Sequence, residues 1–412
     1  MRALLDAILA RMIRRGVLRV QWPDGSTTRY GDGGEPRAGL LIRDRAAIRR
    51  LLLSPALAMG EGYMAGTLQP FDGGIYELLD LIGLNAALGG YDGHPMLALR
   101  DAVRRMLRPL AQWNSAGRAR RNVAHHYDLN GRLYSLFLDR DRQYSCAYFP
   151  RGDETLEEAQ IAKKRHIAAK LHLDRPGLRV LDIGCGWGGL ALTLAREWGA
   201  EVTGITLSGE QLAEARARAA AEGLGGQVQF ELHDYRAVTG QYDRIVSVGM
   251  FEHVGVPNYA TFFATLRDRL APDGLALLHT IGRGDTPGST NPWIAKYIFP
   301  GGYIPALSEV MGAVERSGLV TTDVEVLRLH YAQTLRHWRR RFAANRDAIA
   351  SLYDERFCRM FEFYLAGSET AFRHDRHVVF QVQLAREQTA APLTRDYMVD
   401  AERATARRRT SA

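Results

Sequence analysis

From residue 178 onward short apolar runs alternate with helical stretches, which predicts an α/β chain built on a doubly wound, mainly parallel sheet. Two further observations fix this class. A glycine-rich turn joins the first of those runs to a helical segment, as strand-turn-helix units require. The first hundred or so residues lack the alternation, so a smaller mixed α+β domain precedes the sheet.

The elements follow in order. Leu5, Ile8, Leu9, Met12 and Ile13 recur at helical spacing with Arg2, Arg11, Arg14 and Arg15 beside them. Such a helix either packs on its own domain or lies on a membrane surface, and both readings stand at this level. "VLRVQWPDGSTTRYGDGG" alternates as a strand, turns at Pro23-Asp24-Gly25 and returns as a second strand. "QWNSAGRARRNVAHHYD" is polar and basic, and holds the boundary between a domain at 1–120 and a second at 121–390. In the second domain "RVLDIG", "EVTGITL", "VQFEL", "YDRIVSV" and "GLALLHTIG" read as strands. "LALTLAREW" and "GEQLAEARARAAAEG" read as helices, the latter with Ser208 as N-cap. "HVVFQVQLA", residues 377–385, reads as a late strand closing the sheet antiparallel to the others; residues 391–412 form a basic tail.

Composition narrows the class of function. With 412 residues and 46% hydrophobic content the chain supports a large core. No run of eighteen apolar residues occurs, and the N-terminus lacks a cleavage site, so a cytoplasmic protein is expected. Cys146, Cys185 and Cys358 show no metal-type spacing, which argues against both a disulfide framework and a metal site. Residues 1–122 carry 18 arginines, no lysine and 11 acids, and the last twelve residues carry four arginines and one glutamate. Against a total of +8, the basic excess therefore lies at the two ends and suits an anionic surface. Nucleic acid is not expected, because no series of stacking aromatics accompanies the basic stretches.

"VLDIGCGWGGLAL" sets Gly184, Gly186, Gly188 and Gly189 between strand and helix, where backbone N–H groups become open to a ligand. The same glycines satisfy the dinucleotide fingerprint. Two details favour another ligand. The next strand ends in "GITLS", with Thr206 and Ser208 in place of a ribose-binding acid, and Asp182 precedes the first glycine where a carboxylate meets a protonated amine. This D-x-G-x-G arrangement resembles the S-adenosylmethionine-dependent class I methyltransferases. "HDYRAV" offers Asp234 for an exocyclic amine, with Tyr235 and Arg236 as stacking planes. Gln211 lies one turn past Ser208; it is either a ribose contact or a surface residue.

Four fragments away from that turn add chemistry: "YSCAYF", "VGMFEHVG", "LLHTIG" and "HYAQTL". Glu252 and His279 follow or end strands that reach the crevice of an α/β sheet, although Glu252 also suits a helix cap and His279 a satisfied core position. With "QYSCAYF", "LDIGCGWGGLA", "GITLSGEQ", "VSVGMFEHVG", "NPWIAKYIFPGGYIPALSE" and "YLAGSETAFR", the chain resembles the cyclopropane-fatty-acyl-phospholipid synthases and their mycolic acid relatives over about residues 120–390. The first domain, with "GEGYMAG", resembles the N-terminal domain of the two-domain bacterial members. The resemblance implies transfer of a methylene unit from S-adenosylmethionine to a cis double bond of a phospholipid acyl chain, with bound bicarbonate as base. It assigns Cys146, Glu252, His279, Ile281 and Tyr331 to the bicarbonate pocket. Tyr144, Ser145, Gly184, Gly186, Thr206, Gln211, Tyr235 and Arg236 correspond to cofactor contacts. It also implies a homodimer that works as a peripheral protein on the inner face of the cytoplasmic membrane.

The residue types suit such a reaction. An alkene is a weak nucleophile, so it must be held in line with the sulfonium methyl in a dry pocket. The carbocation that follows is stabilised by aromatic faces, for which Tyr148, Phe149, Phe251 and Tyr303 are candidates unless they belong to the core. Cys146 has no lysine near it in sequence and the chemistry needs no covalent intermediate, so it lines the pocket and is not a nucleophile. Two alternatives remain at this level: methyl transfer without ring closure, and a basic lipid- or nucleic-acid-binding protein with an inactive methyltransferase domain.

Overall fold

A computed structural model describes residues 1–89 and 131–410, with side chains as far as residue 404. The stretch at 112–128 in which the sequence places the domain boundary lies outside the described residues. The described chain divides into two compact units. One takes in the N-terminal residues together with Ser289–Pro300 and Tyr331–His377; the other takes in the chain up to Gly288, Gly301–His330 and Val378 onward. Two segments of the 121–390 stretch thus group with the N-terminal unit.

The N-terminal unit is built on four strands in the order β2-β1-β3-β4: β1 Val17–Gln21, β2 Thr27–Tyr30, β3 Arg37–Ile42 and β4 Leu68–Phe71. β1 and β2 form the antiparallel hairpin that the Pro-Asp-Gly turn predicts, while β1 and β3 run parallel. The first helix, Arg2–Met12, buries Leu5, Leu9 and Met12, which join Ile13, Leu18, Val20 and Trp22 in one core. Its apolar face is therefore spent on its own unit, and the membrane-surface reading of this helix does not hold. Ala366 and Phe363, from helix Glu355–His374, pack against that same core, which explains why a segment so late in the chain groups here. His374 bonds Asp80 at 2.8 Å, and Arg339 lies 3.9 Å over the Tyr76 ring.

The second unit carries a seven-stranded sheet in the order β10-β11-β9-β8-β5-β6-β7. Its strands are β5 Arg179–Ile183, β6 Glu201–Thr206, β7 Val228–Leu232, β8 Tyr242–Val248, β9 Leu270–Arg283, β10 Val320–Leu327 and β11 His377–Ala385. β5 pairs in parallel with both β6 and β8, so the strand order reverses at β5. That switch point is where such sheets open a crevice at their carboxyl ends. β11 runs antiparallel as expected, but it lies inside the sheet, between β9 and β10.

Alternation sets which side chains meet. Leu181 and Ile183 of β5 join the core on one face, with Phe251, Phe262 and Phe263. Val180 joins the other, with Ile167, Leu190, Val246 and Leu277. At a two-residue period, Asp182 follows Val180, and His279 follows Leu277, onto the second face. Helix Leu156–Lys170, which covers that face, starts at a reciprocal cap: Glu158 N donates to Thr155 Oγ1, and Thr155 N donates to Glu158 Oε2.

The glycines of the turn divide by purpose. Gly186 has φ +55° and an added Cβ would enter open space, as a ligand-facing position requires. Gly188 has φ +82°, and an added Cβ would stand 2.7 Å from the Phe230 ring and 3.0 Å from Ala215. Gly188→Ala should thus cost about 1–3 kcal/mol of stability in urea unfolding. A variant of unchanged stability but weakened ligand binding would contradict this packing role.

Candidate functional site

A cleft opens at the carboxyl ends of β5, β6 and β8, lined from one side by Gln143, Tyr144 and Ser145 and from the other by residues 233–236. Tyr144, Ser145, Asp182, Gly184, Gly186, Thr206, Gln211, Asp234, Tyr235 and Arg236 all line it. Gly188, expected among them, does not; the Phe230 contact accounts for it.

Each lining group is set by its element. Thr206 closes β6, accepts a hydrogen bond from Ser208 N at 3.1 Å and donates to Gln211 Oε1 at 2.9 Å. Ser208 caps the following helix, as its side chain accepts from Gln211 N. Gln211 is consequently buried at the cleft wall and is not a surface residue. Asp234 accepts from the backbone and guanidinium of Arg236, whose guanidinium carbon lies 5.4 Å from the Tyr235 ring centre. The site thus offers a carboxylate, a cation and an aromatic plane side by side, a set that suits a purine.

Asp182 is the most exceptional group. It is 2% exposed, and its Oδ2 has no hydrogen-bond partner among the described residues. Burial raises its carboxyl to about 7, against a lowering influence from Lys163. An open carboxylate oxygen on a cleft wall is a receptor for a cationic amine.

A second group lies on β9 and just past β8. Glu252 is buried; its Oε1 accepts from Ile281 N at 2.6 Å, and its Oε2 has no partner among the described residues. It does not cap the helix that follows. Burial raises its carboxyl to about 7. Gln381 Nε2 donates to His279 Nδ1 at 3.1 Å. With the amide so oriented, the imidazole carries its proton on Nε2, which also lacks a partner among the described residues. Burial holds His279 well below its ordinary pKa, so it is neutral at pH 7. Each of the two residues thus carries one buried polar atom without a partner among the described residues, an N–H donor on His279 and a carboxylate acceptor on Glu252, as positions that await a polar molecule do.

The remaining candidates have these surroundings. Cys146 is buried and its Sγ donates to Ala147 O at 3.2 Å. Tyr331 belongs to the N-terminal unit, where its ring packs 5.7 Å from Trp338 and 4.8 Å from Phe372, centre to centre. Phe251 is core, stacked on Tyr259 at 4.3 Å and part of the Phe262-Phe263 cluster. Tyr148 stacks on His166 at 4.1 Å, and Tyr303 donates its hydroxyl to Glu309. Phe149 is buried, with its N–H donated to His330 Nδ1. None of these aromatics lines the cleft.

Several lining residues escape sequence reasoning: Arg142, Gln143, Lys163, Trp187 and His253. Arg142 lies 4.5 Å over the Trp187 ring, and burial lowers His253 to about 4. For Lys163 a signal does exist. The chain has only 4 lysines among 54 basic residues, and three of them, Lys163, Lys164 and Lys170, lie on helix Leu156–Lys170 and are buried. A lysine where the chain otherwise spends arginine marks a position that needs a compact cation.

A doubly wound seven-stranded sheet with this glycine turn, an open Asp182 and a purine-suited wall defines an S-adenosylmethionine-dependent class I methyltransferase. Residues 114–382 match the mycolic acid cyclopropane synthetase family, to which the chain belongs, and residues 4–87 match a domain of unknown function. The chain is 40% identical to the cyclopropane-fatty-acyl-phospholipid synthase of Escherichia coli K12, over 86% of this chain and 89% of that protein. It is 38% identical to the tuberculostearic acid methyltransferase of Mycobacterium tuberculosis, over 92% and 91%. A cyclopropane synthase structure from Mycobacterium tuberculosis superposes with a TM-score of 0.61 at 35% identity, covering 65% of this chain and 98% of that one. A mycolic acid cyclopropane synthase complexed with SAH and CTAB gives 0.60 at 34% identity, covering 64% and 97%. Among the described residues no helix is long and apolar enough to cross a membrane.

Proposed function

We propose that this enzyme adds a methylene unit from S-adenosylmethionine to the cis double bond of unsaturated phospholipid acyl chains, closing a cyclopropane ring. The observation that carries the reading is that two buried polar atoms, Glu252 Oε2 and His279 Nε2, stand without partners among the described residues and outside the lining of the cofactor cleft. Methyl transfer from the sulfonium to the alkene breaks the S–CH3 bond and leaves a carbocation; loss of a proton from the added methyl closes the ring. Ring closure needs an acceptor for that proton, and a buried carboxylate and imidazole suit the holding of one.

A small oxyanion acid fits the second group by its chemistry. His279 Nε2–H donates to an oxyanion, and Glu252 Oε2 accepts from an O–H. Bicarbonate, when bound, supplies a base whose strength suits removal of that proton near neutral pH. Ile281 N–H holds Glu252 in place, and Gln381 holds the histidine tautomer. Cys146 and Tyr331 are added to this set by the family resemblance alone.

The basic excess of the N-terminal stretch fits attraction to anionic lipid, which supports work as a peripheral protein on a phospholipid surface; the homodimer rests on the family resemblance alone. A second reading, methyl addition without ring closure, is favoured by one finding, the likeness to a tuberculostearic acid methyltransferase over most of both chains. Incubation with carbon-13 methyl-labelled S-adenosylmethionine and vesicles of cis-monounsaturated phospholipid should place label in the acyl chains, and saturated vesicles should take none. Absence of label from both would overturn the proposal; label in a methyl or vinylidene carbon would select the second reading.

A further inference from the structure

Of the three buried lysines on helix Leu156–Lys170, two are neutralised. Lys164 pairs with Asp141 at 2.6 Å, and Lys170 pairs with Glu325 and, at 3.6 Å, with Asp323. Lys163, 1% exposed, has no ion-pair partner among the described residues. Its Nζ donates to Gln143 Oε1 at 2.6 Å and to Ser145 Oγ at 2.8 Å, both neutral acceptors that line the same cleft. An ammonium has three donors, and two are used. Asp139 and Asp141 favour its charge from beyond ion-pair distance, but its hydrogen-bond partners are both neutral, and burying a cation so is costly unless an anion arrives to complete the set.

Across the same cleft stands the reverse case, Asp182, an anion with an open oxygen. Lys163 and Asp182 are near enough for the lysine to depress the carboxyl pKa, yet they form no direct pair. A cation with a spare donor and a carboxylate with a spare acceptor, lining one cleft, are the electrostatic imprint of a zwitterion. The α-amino acid end of S-adenosylmethionine is one, with carboxylate and ammonium on the same carbon.

We propose that Lys163 binds the carboxylate of the cofactor's amino-acid end while Asp182 binds its ammonium, so that the two residues together fix the sulfonium at the mouth of the cleft. The proposal rests on the assignment of this cleft to S-adenosylmethionine. The fold explains how the lysine is aimed. Gln160, one turn earlier on the same helix, donates to the carbonyls of Gln143 and Ser145 and ties that segment to the helix. The side chains of Gln143 and Ser145 then take two donors of the ammonium, which leaves the third for a ligand in the cleft that Lys163 lines. Lysine, a compact point charge, suits this place better than the broad fork of arginine. Burial lowers Lys163 to about 8, so it is still charged at pH 7.

Calorimetric titration of three ligands into the full-length wild type, Lys163→Met and Lys163→Arg separates binding from architecture. The ligands are S-adenosylhomocysteine, its decarboxylated analogue and 5′-methylthioadenosine, which lacks the amino-acid end. Lys163→Met should weaken S-adenosylhomocysteine by about 10- to 100-fold, the value of one charge-assisted hydrogen bond. It should leave the decarboxylated analogue and 5′-methylthioadenosine within about twofold. Lys163→Arg should restore part of the loss. Equal losses for all three ligands would make Lys163 a structural brace and overturn the proposal, as would unchanged affinity for S-adenosylhomocysteine. Failure of wild type to bind any of the three would instead overturn the assignment of the cleft.

Discussion

Glu252→Gln should cut turnover by about 100- to 1000-fold while leaving S-adenosylhomocysteine affinity within about twofold of wild type. Glu252 stands outside the lining of the cofactor cleft, so its loss should not be felt in cofactor binding. Its Oε1 accepts from Ile281 N, a bond that the amide oxygen of glutamine can keep, so the variant should fold. What changes is Oε2, a buried acceptor without a partner among the described residues, which becomes an N–H2 donor where an acceptor is needed. The pH profile gives an independent reading. Burial raises the Glu252 carboxyl to about 7, so it becomes protonated as pH falls below that value. Wild-type turnover at saturating cofactor should accordingly fall on the acid side of 7, and that limb should vanish in Glu252→Gln. Stopped turnover together with lost S-adenosylhomocysteine binding would show instead that Glu252 supports the cleft.

Asp182→Asn has the other large effect, and it appears in binding. The amide cannot offer a charge to the cofactor's ammonium, so S-adenosylhomocysteine affinity should drop by about 10- to 100-fold, measured by calorimetry at pH 8. The sign of the pH dependence follows from the free protein. Burial raises the Asp182 carboxyl to about 7, and the arriving ammonium stabilises only its ionised form. Wild-type affinity should therefore fall as pH drops below 7, with proton release on binding; Asp182→Asn should show neither. Stability should move the opposite way. The folded carboxyl titrates near 7 and the unfolded one near its ordinary 3.8. The stability of the unliganded wild type therefore declines as pH rises from about 4 through about 7. Asn removes that decline, so at pH 8 the ligand-free variant should unfold at no lower temperature than wild type. A variant that both binds normally and keeps the wild-type pH dependence would contradict the role given to Asp182.

Much of this was legible in the sequence because it is local. The run from "VLDIG" through the glycines encodes strand, turn and helix within a few residues, and Asp182 sits in it at a fixed offset. Ser208, read as a cap, does accept from Gln211 N, and that bond draws Gln211 to the cleft wall. The N-terminal helix left two readings open because its pattern is the same whether the apolar face meets protein or lipid; only the core around Leu5, Leu9 and Met12 decides.

What stayed hidden depends on contacts between distant segments. Gly188 looks like its neighbours in sequence, yet its lack of a Cβ makes room for Phe230. Strand β10, "VTTDVEVL", breaks its apolar run with Thr321, Thr322 and Asp323, and its side chains are mostly half-buried, so local pattern does not mark it as a strand of the sheet. That Tyr331 and the segments Ser289–Pro300 and Tyr331–His377 group with the N-terminal residues cannot be read from local pattern, since it reflects long-range packing. The open oxygen of Glu252 and the tautomer of His279 likewise depend on Ile281 and Gln381.

The central claim is that a methyl group is delivered to an acyl double bond and then loses one proton to a base held beside Glu252 and His279. The direct measurement supplies S-adenosylmethionine bearing a trideuteriomethyl group with cis-monounsaturated phospholipid vesicles, followed by mass spectrometry and proton NMR of the released fatty acids. The account predicts a product that retains two of the three deuteriums, with ring resonances from the adjoining C–H protons. Retention of all three deuteriums in a methyl branch would contradict it.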